Sequence, residues 1–310
     1  MKAIILSAGY GTRLRPLTDR LPKPLMPVLG TPALSHIIQH LQECNVSDIG
    51  VNIHHKFEMI EEYLEAKHAK QNITLSFEKN ILGVAGGIGG FREYLKGEDL
   101  FIVHNGDILS NISLNRIFQE QKRRVPLCTM VVHDCDGYNN VSVDEDGNVI
   151  DIRGVIKPDA ASRLLAYTGI SFMSSEILNL FPEGPSDLVP FLLDIIKKEK
   201  GMVKAVKVKD CAWMDVGTIE NYFSAHKEIL VNKKPLIAKD LVPQNNIFLG
   251  EKAVVGEDVE FTGFVSAGRG AVIKKGCRME NCIVWDNVVV EEKSVIKNSV
   301  IGKGWIVDGN

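Results

Sequence analysis

Ala3-Ile4-Ile5-Leu6 runs into Ser7-Ala8-Gly9-Tyr10-Gly11-Thr12-Arg13-Leu14-Arg15-Pro16-Leu17-Thr18, and Pro22-Lys23-Pro24-Leu25 follows shortly after. A short apolar run that breaks into glycines predicts a strand ending at Leu6 and feeding a loop. Gly9 and Gly11 let the backbone approach a ligand closely and take φ > 0. Successive N–H groups of such a turn, across Ala8, Gly9, Gly11 and Thr12, line a concavity suited to anions. Arg13 adds a planar fork for phosphate oxygens, and Lys23 adds a point charge on a segment stiffened by Pro22 and Pro24. Two familiar glycine motifs are excluded. The dinucleotide fingerprint needs a third glycine where Leu14 stands, and a Walker A loop needs Gly-Lys-Ser/Thr where this chain has Gly11-Thr12-Arg13.

Outward from this stretch, strands and helices alternate. Thr31 reads as an N-cap and Pro32 as the first helical residue, with Leu34, Ile37, Ile38 and Leu41 at helical spacing. Asp48 to Ile53 reads as a strand, Phe57, Ile60, Tyr63 and Leu64 as a helical stripe, and Ile73 to Phe77 and Phe101 to His104 as further strands. That order predicts a largely parallel sheet covered by helices. From Leu127 to Ile152 short strands are separated by Asp136-Gly137 and Asp146-Gly147 turns, which suggests an antiparallel insertion beside a substrate pocket. A strand at Ala166 to Met173, a helix near Leu188 to Lys198, strands at Val203 to Val208 and Ala212 to Val216, and a helix from Thr218 complete this part.

Beyond about residue 236 the period changes. Ile247, Ala253, Val259, Val265, Ala271, Cys277, Ile283, Val289, Val295 and Ile301 are spaced six apart and are all small or aliphatic. Neither a helix nor a simple strand predicts that period, and a hexapeptide repeat marks a left-handed parallel β-helix. The stack needs a capped end, for which Trp305 is the candidate.

The strand Phe101 to His104 ends in Asn105-Gly106-Asp107, and Trp213-Met214-Asp215-Val216-Gly217-Thr218 puts a second aspartate at a strand end before a helix. Open α/β sheets bind ligands at the carboxyl ends of their strands. Two such carboxylates suit Mg²⁺, which takes one or two carboxylates together with phosphate oxygens and water. A second glycine cluster, Leu82-Gly83-Val84-Ala85-Gly86-Gly87, follows the strand near Glu78. His54-His55 is expected to be structural, because neighbouring strand residues point to opposite faces.

The pattern Gly-x-Gly-Thr-Arg-Leu-x-Pro-Leu-Thr from Gly9 to Thr18, followed by Pro-Lys-Pro-Leu-x-Pro from Pro22 to Pro27, resembles the opening of the nucleotide-sugar pyrophosphorylases, or sugar-1-phosphate nucleotidyltransferases. The resemblance runs over residues 1–230. It implies that an NTP and a sugar-1-phosphate give an NDP-sugar and pyrophosphate, with Mg²⁺ as cofactor. It implies Arg13, Lys23, Asp107 and Asp215 as the catalytic set, and Asp107 and Asp215 as the metal ligands. Leu82 to Gly86 resembles the family's Leu-Gly-Thr-Ala-Gly, which lies against the nucleobase. The nucleotide set is then Leu6, Ala8, Gly9, Gly11, Thr12, Arg13, Lys23, Gly83 and Gly86. Lys157-Pro158 matches the lysine that meets the sugar phosphate, although Ile156 stands in place of the usual glutamate. Thr168-Gly169-Ile170 is similar to Ala-Gly-Ile, with Tyr167 for the usual asparagine, and Asn139 replaces a glycine. Asn105, Lys157 and Gly169 are the expected sugar-phosphate residues.

The expected class is α/β: a Rossmann-like mixed-sheet nucleotidyltransferase domain over residues 1–235 and a left-handed parallel β-helix over residues 236–310. The motif variants look most like mannose-1-phosphate guanylyltransferases. Uridylyl or thymidylyl transfer to glucose-, heptose- or N-acetylmuramate-1-phosphate is the alternative. A non-catalytic nucleotide-sugar-binding regulator is the alternative of another class, and the joint presence of Arg13, Lys23, Asp107 and Asp215 argues against it. A β-helix acyltransferase would need a histidine base in the tail, and no histidine follows His226.

Composition sets outer bounds. The 310 residues carry a net charge of −3, with 45% hydrophobic and 24% charged residues, which gives no footprint for nucleic acid. Six cysteines without Cys-x-x-Cys spacing predict neither a zinc site nor a disulfide framework. The chain enters a strand at once, without a signal peptide, and has no long apolar span, so a cytoplasmic protein without membrane partners is expected. Homo-oligomerisation through the β-helix tail is the expected assembly.

Overall fold

The structure is a computed structural model that describes residues 1–121, 126–156, 162–235 and 245–309. It divides into two compact units. The first holds Met1–Tyr10, Ile38–Ile108 and Ile112–Trp213; the second holds Gly11–Ile37, Leu109–Asn111 and Met214–Asn310.

The first unit is built on a nine-stranded sheet. The apolar opening run forms an interior strand, Lys2–Leu6, parallel to Asp48–Ile53 on one side and to Leu100–Asn105 on the other. Ala3, Ile4 and Ile5 are completely buried, which is why the run is continuous rather than alternating. Asn72–Phe77 extends the parallel side. Beyond Leu100–Asn105 the sheet turns antiparallel through Arg163–Ser174, Asn139–Val143 and Val149–Ile152. Cys128–His133 also pairs antiparallel with Arg163–Ser174 and carries Val203–Lys207 parallel on its far side. The sheet is therefore mixed. It is parallel where helices intervene, and between Asn139–Val143 and Val149–Ile152 it is antiparallel, where Gly147 at positive φ allows a tight return. Leu188, Leu192 and Leu193 of the helix Leu188–Lys198 join the core formed by Ile4, Val103, Met130 and Val203.

One start signal is displaced. Thr31 and Pro32 do not open the helix; they form a two-residue strand antiparallel to Pro27–Val28, and the helix is Ala33–Glu43. Boundaries of this size shift easily, because a proline fits an edge pairing as well as a first helical turn.

In the second unit, the helix Ile219–Leu230 starts as its sequence suggests, with the Thr218 hydroxyl accepting from the Asn221 N–H. Its Tyr222 hydroxyl donates to the Pro27 carbonyl at 2.5 Å, and the His226 ring stacks on Phe264 of the tail. These contacts explain why part of the N-terminal segment and the tail form one compact unit.

The tail is a stack of parallel strands in two sheets. Pairing begins eighteen residues apart: Ile247 with Val265, Val254 with Val272, and Glu260 with Arg278. The register shifts between Thr262 and Val265, and pairing then runs seventeen apart: Val265 with Cys282, Val272 with Val289, and Arg278 with Val295. The strict six-residue row is corrected accordingly. It holds through Val265, Ala271 and Cys277, then steps by five to Cys282 and continues at Val288, all of them buried. Val289 and Val295, which the strict period would bury, are 50% and 66% exposed. Trp305 ends the stack: its strand Trp305–Asp308 turns back antiparallel on Val295–Gly302, and its ring meets Trp285 edge-on at 4.9 Å.

None of the six cysteines forms a disulfide. Among the described residues, no helix is long and apolar enough to cross a membrane.

Candidate active site

In the first unit, Leu6 and Asn105 end adjacent parallel strands and are register partners. The chain leaves Asn105 through Gly106, whose N–H donates to the Leu6 carbonyl at 2.9 Å. A Cβ on Gly106 would lie 2.6 Å from that carbonyl oxygen and 2.7 Å from Ser7 Oγ, so only glycine fits. Asp107 thus leaves the sheet where Ser7 opens the glycine turn. A cleft of 630 Å³ opens at these strand ends, lined among others by Leu6, Asn105, Tyr167, Arg153, Asp187 and Lys197. Gly169, at φ +81°, passes so close to Asn105 that a Cβ would sit 3.0 Å from its amide nitrogen. Behind it, the Trp213 indole donates to the Thr168 carbonyl at 2.8 Å, and its ring meets His133 and Tyr138.

Gly83 and Gly86 lie on the seven-residue helix Gly83–Gly89. The Ser186 carbonyl accepts from the N–H groups of Ala85 and Gly86, and the Ser186 N–H donates to the Leu82 carbonyl at 2.7 Å. A Cβ on Gly83 would come within 2.5 Å of the Ser186 oxygen, and one on Gly86 within 2.9 Å of the Gly184 oxygen. The resemblance implies that this segment lies against a nucleobase. In the fold these glycines also make room for the backbone of residues 184–187. Val84, on the same helix, lines the cleft.

The second unit gathers the charges. Gly11, at φ +66°, opens the short turn Thr12–Leu14. The Thr18 hydroxyl returns to the Gly11 carbonyl at 2.9 Å, and a Cβ on Gly11 would sit 3.2 Å from the Lys23 Cβ. Leu14 and Leu17 are fully buried and anchor the segment from beneath. Across from it, a Cβ on Gly217 would lie 2.7 Å from Asp215 Oδ1, 3.1 Å from Arg13 Nη2 and 3.1 Å from Lys23 Nζ. One carboxylate, one guanidinium and one ammonium therefore face the same small space, kept open by a missing side chain. The Gly217 N–H donates to Asp215 Oδ1 at 2.6 Å and fixes that carboxylate.

Three residues from distant parts of the sequence motif set, Arg13, Lys23 and Asp215, are thus brought together. Leu6 and Asn105 share the first unit's cleft, and Lys157 lies outside the described residues. Gly217, Arg153 and Lys197 were not foreseen. Gly217 stands in the Asp-Val-Gly-Thr run, but the space it leaves is defined only by the neighbours the fold brings to it. Arg153 and Lys197 carry no motif, and only the folded cleft reveals them.

The donors available for a metal are hard carboxylate oxygens, which fit Mg²⁺. Among the described residues no three metal-ligating side chains cluster. A Mg²⁺ ion shared between carboxylates and substrate phosphates does not need such a cluster.

Residues 2–232 match the family model described as nucleotidyl transferase, and residues 243–309 match one described as the GMPPB C-terminal domain. The chain is 26% identical to the UTP–glucose-1-phosphate uridylyltransferase of Synechocystis, over 98% of this chain and 85% of that protein. It is 29% identical to a probable mannose-1-phosphate guanylyltransferase 1 of Oryza sativa, over 97% of this chain and 86% of that protein. The crystal structure of HddC from Yersinia pseudotuberculosis superposes with a TM-score of 0.61 at 24% identity, covering 72% of this chain and 97% of that one, a likeness of fold.

Proposed function

Because this chain belongs to the nucleotidyl transferase family, we propose that it condenses an NTP with a sugar-1-phosphate to give an NDP-sugar and pyrophosphate, GTP and mannose-1-phosphate being the preferred pair. The observation that carries this reading is the convergence of Arg13, Lys23 and Asp215 on the space before Gly217.

Phosphoryl-type transfer needs in-line positioning and cancellation of charge more than covalent help. In our reading a sugar-phosphate oxygen attacks the α-phosphorus of the NTP. A new P–O bond forms as the bond to the β-phosphate oxygen breaks, and pyrophosphate leaves. Lys23 offsets charge growing on the α-phosphate. Arg13 and the N–H groups of the Gly9 to Thr12 turn hold the leaving pyrophosphate. Asp107 and Asp215 would hold Mg²⁺, which when bound neutralises phosphate oxygens of both substrates. Leu6, Ala8 and the helix bearing Gly83 and Gly86 take the nucleoside. Asn105, Gly169 and Lys157 take the sugar phosphate, and Arg153 and Lys197 add cations to the cleft.

We assign residues 1–235 to the catalytic module and 236–310 to a left-handed parallel β-helix. Separate family matches for the two parts support this division. The positive-φ corners support the helical stack: Lys252, Gly270 and Asn287 repeat once per coil, as do Asp258, Gly276 and Lys293. We further assign to the tail a role in homo-oligomerisation, and to the protein a cytoplasmic location, in keeping with its free thiols. The guanylyl preference leans on the GMPPB-type tail and on the rice relative. Uridylyl transfer to glucose-1-phosphate is the second reading, favoured by the Synechocystis relative.

A panel of the four NTPs with mannose-, glucose-, heptose- and N-acetylmuramate-1-phosphate, read by pyrophosphate release, tests the assignment. The fastest turnover is expected with GTP and mannose-1-phosphate. Turnover with another pair alone would replace the substrates, and none with any pair would favour a non-catalytic sensor.

A further inference from the structure

We propose that Asn52 is a positioning residue that locks the phosphate turn and the glycine helix into one nucleotide platform; the inference rests on the nucleotidyl-transfer reading above. Asn52 is the register partner of Leu6 in the neighbouring strand and is 4% exposed, a polar residue inside the apolar run Ile49-Gly50-Val51-Asn52-Ile53. Its Oδ1 accepts from the backbone N–H of Ser7 at 2.5 Å, at the first residue after the strand. Its Nδ2 donates to Glu78 Oε1 at 2.7 Å. The other oxygen of Glu78 accepts from the Leu82 N–H at 2.9 Å, at the start of the glycine helix. A Cβ on Gly87 would lie 2.8 Å from both Asn52 Nδ2 and Glu78 Oε1, so that helix rests directly on the pair.

This linkage requires an acceptor toward Ser7 and a donor toward Glu78 on one short side chain, which an asparagine supplies. Glu78 is itself 3% exposed, and its backbone carbonyl pairs with His54 Nδ1 at 2.7 Å. The Ser7 hydroxyl is buried without a partner among the described residues, which leaves the tie to Asn52 as the polar bond seen to orient the turn from this side. A buried donor deprived of its acceptor is costly, so the turn and helix relax together when the link is broken. The groups that relax are those assigned to the NTP, while the sugar-phosphate residues Asn105 and Gly169 stand on other strands.

The test uses the full chain with GTP, Mg²⁺ and mannose-1-phosphate, and compares Asn52→Asp, Glu78→Gln and the double variant. Asn52→Asp opposes two carboxylates, and Glu78→Gln opposes two amides. The double variant restores an amide–carboxylate pair with its direction reversed. Each single variant is expected to raise the KM for GTP about tenfold, the effect of losing roughly one buried hydrogen bond, with the KM for mannose-1-phosphate within about twofold. The double variant should recover most of the loss. Calorimetric binding of Mg²⁺–GTP should follow the same order, and it remains readable if Asn52→Asp folds poorly, because Glu78→Gln keeps the side-chain shape. Equal rises in both KM values, an unchanged KM for GTP, or a double variant no better than the worse single one would overturn the proposal. Wild-type protein that binds GTP without turnover would defeat the transferase reading alone.

Discussion

Arg13, Lys23 and Asp215 face one small space before Gly217, so two cations are set beside a single fixed carboxylate where a phosphate would arrive. Lys23→Ala should leave the protein folded, while kcat falls about 10²–10³-fold, as when one transition-state donor is removed. Pyrophosphate release and a melting curve on the same sample check both halves. A folded but inactive variant separates function from folding, which loss of activity alone does not. Gly217→Ala makes a related point: its methyl would enter the space that Asp215, Arg13 and Lys23 face. A loss of kcat at least as large as that of Lys23→Ala is expected, with little change in fold. The two cations and Asp215, which the fold brings together, were legible in the sequence because their chemistry is carried by residue type beside a glycine turn or a strand end. Gly217 was not, because its contribution is an absence of atoms that only neighbours brought together in the fold can define. Asn52 left a fainter trace, as one polar residue in an apolar strand.

At the scale of elements, the tail shows where periodicity stops informing. Six-residue spacing was legible, and the parallel pairing of Ile247 with Val265 and Val254 with Val272 agrees with it. The slip to five after Cys277 was hidden because Cys282-Ile283-Val284 and Val288-Val289-Val290 are apolar at three successive positions, so either phase looks buried. The backbone decides through the register shift after Thr262. Gly263, Asn281 and Asn298 take positive φ at the matching corner, and Asn281 Nδ2 donates to Asn298 Oδ1 at 2.9 Å. Val288 is 2% exposed and Val289 is 50% exposed. Val288→Asp should cost about 3–5 kcal/mol by placing an unpaired charge in the stack, whereas Val289→Asp should stay within about 0.5 kcal/mol. Denaturant unfolding of both variants checks the register, and the reverse order would restore the strict hexad. In the first unit the strands and the helix Leu188–Lys198 were legible from apolar runs and period. The displaced helix start after Pro32 and the helix made of Gly83–Gly89 were not. Glycine propensity opposes a helix there, and the contacts with Ser186 override it.

Across the whole molecule, several buried histidines link stability to pH. Burial, reinforced by neighbouring His36, holds His226 down at about 4. Burial and His40 hold His104 at about 3, and His36 is also lowered by burial. Unfolding returns each to about 6.5, so the unfolded chain binds more protons between pH 4 and pH 6.5. Stability should therefore be complete above about pH 7 and fall steadily as the pH drops through 6 toward 4. Melting curves at pH 5 and pH 7.5 should show the lower midpoint at pH 5, and equal midpoints would contradict the burial of these rings. The central claim, nucleotidyl transfer to a sugar phosphate that depends on the strand-end carboxylates, is tested most directly by product stoichiometry. Wild-type protein and Asp107→Ala are incubated with GTP, mannose-1-phosphate and Mg²⁺, and NDP-sugar and pyrophosphate are quantified together. The account predicts equal amounts of the two products from the wild type and neither from a folded Asp107→Ala. Pyrophosphate without NDP-sugar, or undiminished turnover by Asp107→Ala, would contradict it.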